Sequence, residues 1–165
     1  MYIRYADMQD LNAITAIEAA CFPAAEAASR ADFEHRLSAY ADHFWLLEQD
    51  GKLVAFVDGM VTNQPDLTDD LYENAALHDE NGVWQMIFGV NTLPEYRRRG
   101  CAEQLLRWVI ADARVQGRRG LVLTSKDHLV HYYAKFGFQD EGISEKSTHG
   151  GVIWHQMRLI FDEKM

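Results

Sequence analysis

The chain has 165 residues, 48% hydrophobic and 12% aromatic, an apolar share that excludes a disordered or low-complexity protein because it can offset the entropy of ordering. Its 16 basic and 25 acidic side chains give a formal net charge of −9, which excludes a general nucleic-acid binder needing surplus Lys and Arg to displace phosphate counterions. One α/β domain over residues 1–165 is expected at this length.

Asp7 can cap a first helix over residues 7–21, where Met8, Leu11, Ile14, Ile17 and Cys21 recur at helical spacing until Pro23 ends it. Ser29 can cap a second helix through Phe33, Leu37 and Tyr40. Residues 43–48 and 53–61 read as strands joined at Asp50-Gly51, because Asp-Gly between apolar runs signals a hairpin. Residues 62–82 carry Asp66, Asp69, Asp70, Glu73, Asp79 and Glu80; so long a connection is often a functional loop or lid, and a solvated excursion reads equally well.

Residues 83–90 read as one apolar strand covered on both faces. After Pro94, a helix presents Cys101, Leu105, Leu106, Val109, Ile110 and Ala113 as one broad stripe and stops at Gly117. Leu121-Val122-Leu123-Thr124 is the next strand, so a right-handed crossover between parallel strands is predicted. A short helix with Leu129, Tyr132, Tyr133 and Phe136 ends at Gly137, and residues 138–144 and 152–161 are the last two strands.

No apolar stretch approaches the ~20 residues that span a bilayer, and the first residues lack the basic head and apolar run of an export signal. Cys21 and Cys101 form no Cys-x-x-Cys pair, so both are expected as reduced thiols in a cytoplasmic protein. His128 and His131 lie three apart, but two ligands without a third make no metal site, and none is expected.

The segment with chemistry in it is Arg97-Arg98-Arg99-Gly100-Cys101-Ala102, between a buried strand and an amphipathic helix. The first turn of a helix has unpaired N–H groups at the positive end of its dipole, which makes an anion cradle suited to phosphate. The Lys and Ser or Thr of a nucleotide P-loop and the Gly-x-Gly-x-x-Gly of dinucleotide folds are both missing. Six of the 16 basic residues, Arg97, Arg98, Arg99, Arg107, Arg118 and Arg119, lie around this strand–helix unit, an asymmetry that a polyanionic cofactor explains.

Arg97-x-x-Gly100-x-Ala102 resembles the pyrophosphate-binding signature of the GCN5-related N-acetyltransferases (GNAT), and Tyr133-Ala134-Lys135-Phe136-Gly137-Phe138 is similar to the Tyr-x-x-x-Gly-Phe of that superfamily. Cys21-Phe22-Pro23 with Glu26, Leu53-Val54-Ala55-Phe56 and Asp127-His128-Leu129-Val130-His131-Tyr132-Tyr133 resemble the arylalkylamine N-acetyltransferase branch. The resemblance implies a single-domain GNAT fold with a mixed, mostly antiparallel sheet of six to seven strands, about four helices, and a splayed parallel strand pair at the cofactor. It implies acetyl-coenzyme A as cosubstrate and a small primary amine as acceptor. It places the pantetheine arm on Phe88, Gly89 and Val90, and the pyrophosphate at the turn opened by Arg97, on the backbone of Arg98, Arg99, Gly100, Cys101, Ala102 and Glu103.

By the same resemblance Tyr133 is the general acid for the departing thiolate, and a backbone N–H at Val90 polarises the carbonyl. Vertebrate-type arylalkylamine enzymes carry two histidines where this chain has Trp84 and Met86, so another group must act as base. Glu26 is the first candidate and Asp58 the second, since it interrupts an apolar strand where burial raises a carboxyl pKa. Asp79 and His78 come third, and a water chain would serve as well. The acidic segment with Phe22, Tyr72 and Trp84 is expected to receive a cationic aromatic amine. A homodimer and acceptors such as polyamines, amino sugars or peptide amines stay open, as does acyl-coenzyme A binding without turnover.

Overall fold

The computed structural model describes residues 1–162. Among them the elements follow in the order β1 (Tyr2–Tyr5), α1 (Leu11–Cys21), α2 (Arg30–Tyr40), β2 (Phe44–Gln49), β3 (Lys52–Asp58), β4 (Val61–Thr62), α3 (Asp69–Glu73), β5 (Trp84–Ile87), β6 (Gly89–Thr92), α4 (Cys101–Val115), β7 (Gly120–Ser125), α5 (Val130–Ala134), β8 (Gln139–Ile143) and β9 (His155–Ile160). The chain gathers into two compact units, one of Met1–Gly59 with Gly89–Val109, the other of Met60–Phe88 with the chain from Ile110 onward.

The first unit is an antiparallel sheet in the order β1-β2-β3-β6. Asp7 caps the entry to α1, accepting from the Gln9 N–H at 2.8 Å in a capping box closed by Asp10, and Ser29 with Asp32 does the same for α2. Asp50 and Gly51 both take positive φ, 53° and 77°, the geometry a two-residue hairpin between β2 and β3 requires. Helix α1 packs on α2, β3 and β6, and Ile14, Phe33, Leu46 and Phe56 are wholly buried, the rings of Phe33 and Phe56 meeting edge-on at 5.9 Å.

The second unit is a sheet in the order β4-β5-β7-β9-β8, antiparallel except for the parallel pair β5 and β7. Its core holds Leu67, Leu71, Met86, Leu121, Val122 and Met157. Helix α4 buries Cys101, Leu105, Leu106, Val109 and Ala113, the stripe its spacing predicts. No helix among the described residues is long and apolar enough to cross a membrane.

The mixed, mostly antiparallel pattern and the parallel pair are as expected, but the strands form sheets of four and five. Two runs that read as single strands are divided. The run 53–61 stops at Asp58 and resumes as β4 in the other sheet, and the run 83–90 breaks at Phe88, where the chain leaves β7 for β3. Hydropathy marks burial on both sides of such a break and carries no signal of which strand is the neighbour. The connection 62–82 contains the short helix α3, which raises the α-helix count from about four to five.

Candidate active site

A 3-10 turn at Pro94–Tyr96 leads into the exposed segment 97–100, which opens α4. Arg98 holds φ at 63° and Gly100 at 80°. Positive φ at a non-glycine residue costs energy and tends to persist where a site needs the backbone aimed. A Cβ built on Gly100 meets no atom within 4 Å, so space lies open over the turn beside the unpaired first-turn N–H groups of a 15-residue helix. Cys101 points the other way, its thiol within 3.7 Å of the Tyr96 carbonyl and its pKa pushed up by burial. The arrangement fits a diphosphate.

The arginines are not all there. Arg97 donates to the Thr92 carbonyl at 3.3 Å, Arg99 lies over the Tyr96 ring at 5.3 Å, and Arg107 meets Glu103 at 3.4 Å. Arg118 follows the C-terminal end of α4 and is engaged by the Glu80 and Gly82 carbonyls at 2.7 and 2.8 Å and by the Glu80 carboxylate at 2.9 Å. Arg119 lies over Trp84 at 5.6 Å. The expected cluster of six therefore reduces at the turn to Arg97, Arg98 and Arg99, because side chains near in sequence separate along a helix.

Among the described residues, strand β6 is the edge of its sheet and pairs only with β3, running from Asp58↔Gly89 to Ala55↔Thr92. Its other edge offers N–H and C=O groups to an extended arm, as an added strand would use them. Phe88, just before it, stacks at 4.6 Å on Tyr72 in the second unit. Along β6, Gly89 and Asn91 alternate with Val90 and Thr92, so Gly89 and Asn91 share one face with the partners Asp58 and Phe56.

That face carries a buried polar group in the first unit. Arg36 donates to Asp58 Oδ2 at 3.1 Å, with both residues nearly inaccessible. Glu18, 6% exposed, accepts the Ala28 N–H on Oε2 at 2.9 Å. Burial pushes the Glu18 carboxyl up to about 7, helped by the Asp58 charge and opposed by the Ala28 N–H, Arg36 and Asn91. Burial raises Asp58 to about 6 against the pull of Arg36. Of the expected bases, Asp58 is thus inside an ion pair, while Glu26 is half-buried in the turn after α1, its N–H donating to the Pro23 carbonyl at 2.9 Å.

Glu18 and Arg36 were not expected at a site. The signal for Glu18 was present: with Leu11, Ile14 and Cys21 it keeps the 3, 4, 3 spacing of the apolar face, so a carboxylate stands where a core side chain belongs.

The second unit holds the remaining candidates. Tyr133, 9% exposed, meets Tyr132 and Phe138 edge-on at 5.2 and 6.3 Å, and burial pushes its phenol well above the usual range. His78 accepts the Val61 N–H at 3.1 Å, and Asp79 accepts from Asn81 and Asn63 at 3.0 and 3.3 Å, which makes both tethers of their loop. Three more acids of the segment are likewise committed. Asp66 meets Lys146 at 2.8 Å and Gln156 at 3.0 Å, Asp69 takes the Thr148 N–H, and Glu80 holds Arg118. Trp84 is flanked by Arg158 at 4.5 Å and by Arg119. Asp66, Glu80 and Trp84 of the expected cation-receiving residues thus meet the protein's own cations, while Asp70 and Glu73 are exposed. His128 and His131 are exposed.

These features converge with the comparisons. The model of the Acetyltransferase (GNAT) family matches residues 11–138, and the chain belongs to that family. No curated protein matches it. Among solved structures, the GphF GNAT-like decarboxylase in complex with isobutyryl-CoA superposes with a TM-score of 0.83 at 24% identity, covering 97% of this chain and 99% of that one. The ribosomal-protein-S18-alanine N-acetyltransferase from Escherichia coli gives 0.72 at 21% identity, covering 99% and 96%. A GNAT family acetyltransferase from Brucella melitensis in complex with acetyl-CoA gives 0.64 at 20% identity, covering 99% and 90%. Identities this low show the shared fold, a GNAT fold of the α/β class.

Proposed function

We propose that the chain is an acetyl-coenzyme A-dependent N-acetyltransferase that moves the acetyl group to a primary amine of a small molecule by direct attack in a ternary complex. The observation that carries this reading is the open, positive-φ turn at Arg98 and Gly100, set at the head of α4 and shortly after a strand with a free edge. Backbone N–H groups of Arg98, Arg99, Gly100, Cys101, Ala102 and Glu103 would hold the pyrophosphate on the helix dipole, with Arg97 beside them. The pantetheine arm would pair with Gly89 and Val90 after Phe88, leaving a Val90 N–H to polarise the thioester carbonyl.

Tyr133 is the proposed general acid. Burial makes its phenol a weaker acid than free tyrosine, so its proton moves to sulfur only as the C–S bond breaks and basicity builds there. Glu26 and Asp58 are the proposed bases, Asp58 having the raised pKa that suits the role. An arylalkylamine is the acceptor class supported by Cys21-Phe22-Pro23 with Glu26. The test is release of free thiol from acetyl-coenzyme A against arylalkylamines, polyamines, amino sugars and peptides. Release with an arylalkylamine is the expected result; release only with another class moves the acceptor, and coenzyme A binding without release on any amine replaces the enzyme with an acyl-coenzyme A sensor.

A further inference from the structure

The parallel pair of the second unit ends abruptly. Strands β5 and β7 are in register from Trp84↔Gly120 to Ile87↔Leu123, and the next rung would set Phe88 opposite Thr124. That rung is not made: β7 goes on beside β9 as far as Ser125↔His155, while the chain of β5 turns away. Burial changes at the same point, since Trp84–Ile87 and Gly120–Leu123 are buried and both Phe88 and Thr124 are half-buried. The carboxyl ends of parallel strands, where they part, are where open α/β sheets receive ligands.

One side chain spans the unmade rung. The Tyr72 ring lies against the Phe88 ring with centroids 4.6 Å apart, and its hydroxyl shares a hydrogen bond of 2.9 Å with Thr124 Oγ1. Tyr72 comes from α3, which is itself held: Leu71 is wholly buried, the Asp69 N–H donates to the Lys146 carbonyl at 3.1 Å, and the Asp69 carboxylate takes the Thr148 N–H at 3.0 Å and its hydroxyl at 3.1 Å. The ring is therefore delivered from a fixed turn. A side chain serving only the core would bury its ring and hydroxyl, yet Tyr72 is half-buried like the two residues it joins.

Phe88 is the residue that this contact restrains. Strand β5 ends at Ile87 and β6 begins at Gly89, so Phe88 alone carries the chain across the break, with two soft dihedrals to set. Its N–H and C=O are among the groups assigned to the pantetheine arm. We propose that Tyr72 and Thr124 are positioning residues for the cofactor: Tyr72, bonded to Thr124 and stacked on Phe88, braces the point where β5 and β7 part and holds the Phe88 backbone in place for the arm. The inference rests on the acetyltransferase reading, and it gives the connection 62–82 a task beyond a solvated excursion.

The experiment titrates the full chain calorimetrically with coenzyme A, and measures 3′-phosphoadenosine 5′-diphosphate, which keeps every phosphate but lacks the arm, by its displacement of coenzyme A. Tyr72→Phe and Thr124→Val each remove one end of the same hydrogen bond and are expected to raise the coenzyme A Kd about threefold, with the double variant no weaker than the weaker single. Tyr72→Ala removes the ring contact as well and is expected to raise it about tenfold or more. The fragment should keep its affinity within about twofold in every variant, because its phosphates meet the turn at the head of α4 and not the braced rung. Loss of fragment and coenzyme A affinity in parallel would reduce Tyr72 to a stabilising contact and overturn the brace, as would unchanged coenzyme A affinity in folded Tyr72→Ala or additive losses in the double variant. If Tyr72→Ala does not fold, the two hydroxyl variants decide. Failure of the wild type to bind coenzyme A would overturn the acetyltransferase reading and the brace with it, whereas wild-type binding with unmoved variants overturns the brace alone.

Discussion

At the scale of single residues, Gly100 and Tyr133 make opposite demands. Gly100 needs a backbone state rather than space: nothing lies within 4 Å of a Cβ there, but its φ of 80° costs an L-residue about 1–2 kcal/mol. Gly100→Ala should therefore raise the KM for acetyl-coenzyme A about tenfold by reshaping the turn, with kcat little changed; steady-state kinetics at varied cofactor checks this. Tyr133→Phe keeps the edge-on rings and removes only the hydroxyl, so kcat should fall about tenfold or more at an unchanged cofactor Kd. Unchanged turnover would remove Tyr133 from the mechanism.

At the scale of elements, the backbone does what the capping and turn signals say. The boxes at Asp7 and Ser29 and the hairpin at Asp50-Gly51 are local chemistry, readable because each partner lies within three residues. Ser29→Ala should cost about 1 kcal/mol in urea unfolding. Gly120 is a nonlocal case: a Cβ there runs into the Leu159 backbone oxygen and approaches Trp84 at 3.0 Å, so β7 admits no side chain at that point. Gly120→Ala should destabilise the protein by about 3 kcal/mol or more, read as a lower denaturation midpoint. The breaks after Asp58 and at Phe88 were hidden for the same reason as Gly120. Each depends on which strand lies alongside, and a run of apolar residues looks the same whether one sheet or two receive it.

At the scale of the whole molecule, charge decides how stability varies with pH. Glu18 and Asp58 have raised pKa values, so the folded state binds their protons more tightly than the unfolded chain, and stability is lost as pH rises from about 4 through 6 and 7. Asp66, lowered by hydrogen bonds from Lys146 and Gln156, and Asp140, lowered by the Gly142 N–H, act in reverse and lose stability as pH falls below the usual carboxylate range. The melting temperature should peak near about pH 5 and decline toward pH 8, and Glu18→Gln should remove much of that decline by about 3 °C or more. A flat profile in the wild type would mean that the two buried acids are hydrated. The charge of residues 62–82 is offset in part from within, because Asp66 meets Lys146 and Arg158 and Glu80 meets Arg118. The sequence by itself determined the helices, the hairpin, the phosphate turn and the GNAT family, since those depend on periodicity and on motifs confined to short stretches. Only the tertiary structure decided that the sheet divides, that Asp66 and Glu80 of the acidic segment are paired from within, and that Glu18, Asp58 and Asn91 meet beside Gly89. These depend on contacts between residues as far as 92 positions apart, and proximity of that kind leaves no periodic trace along a single chain.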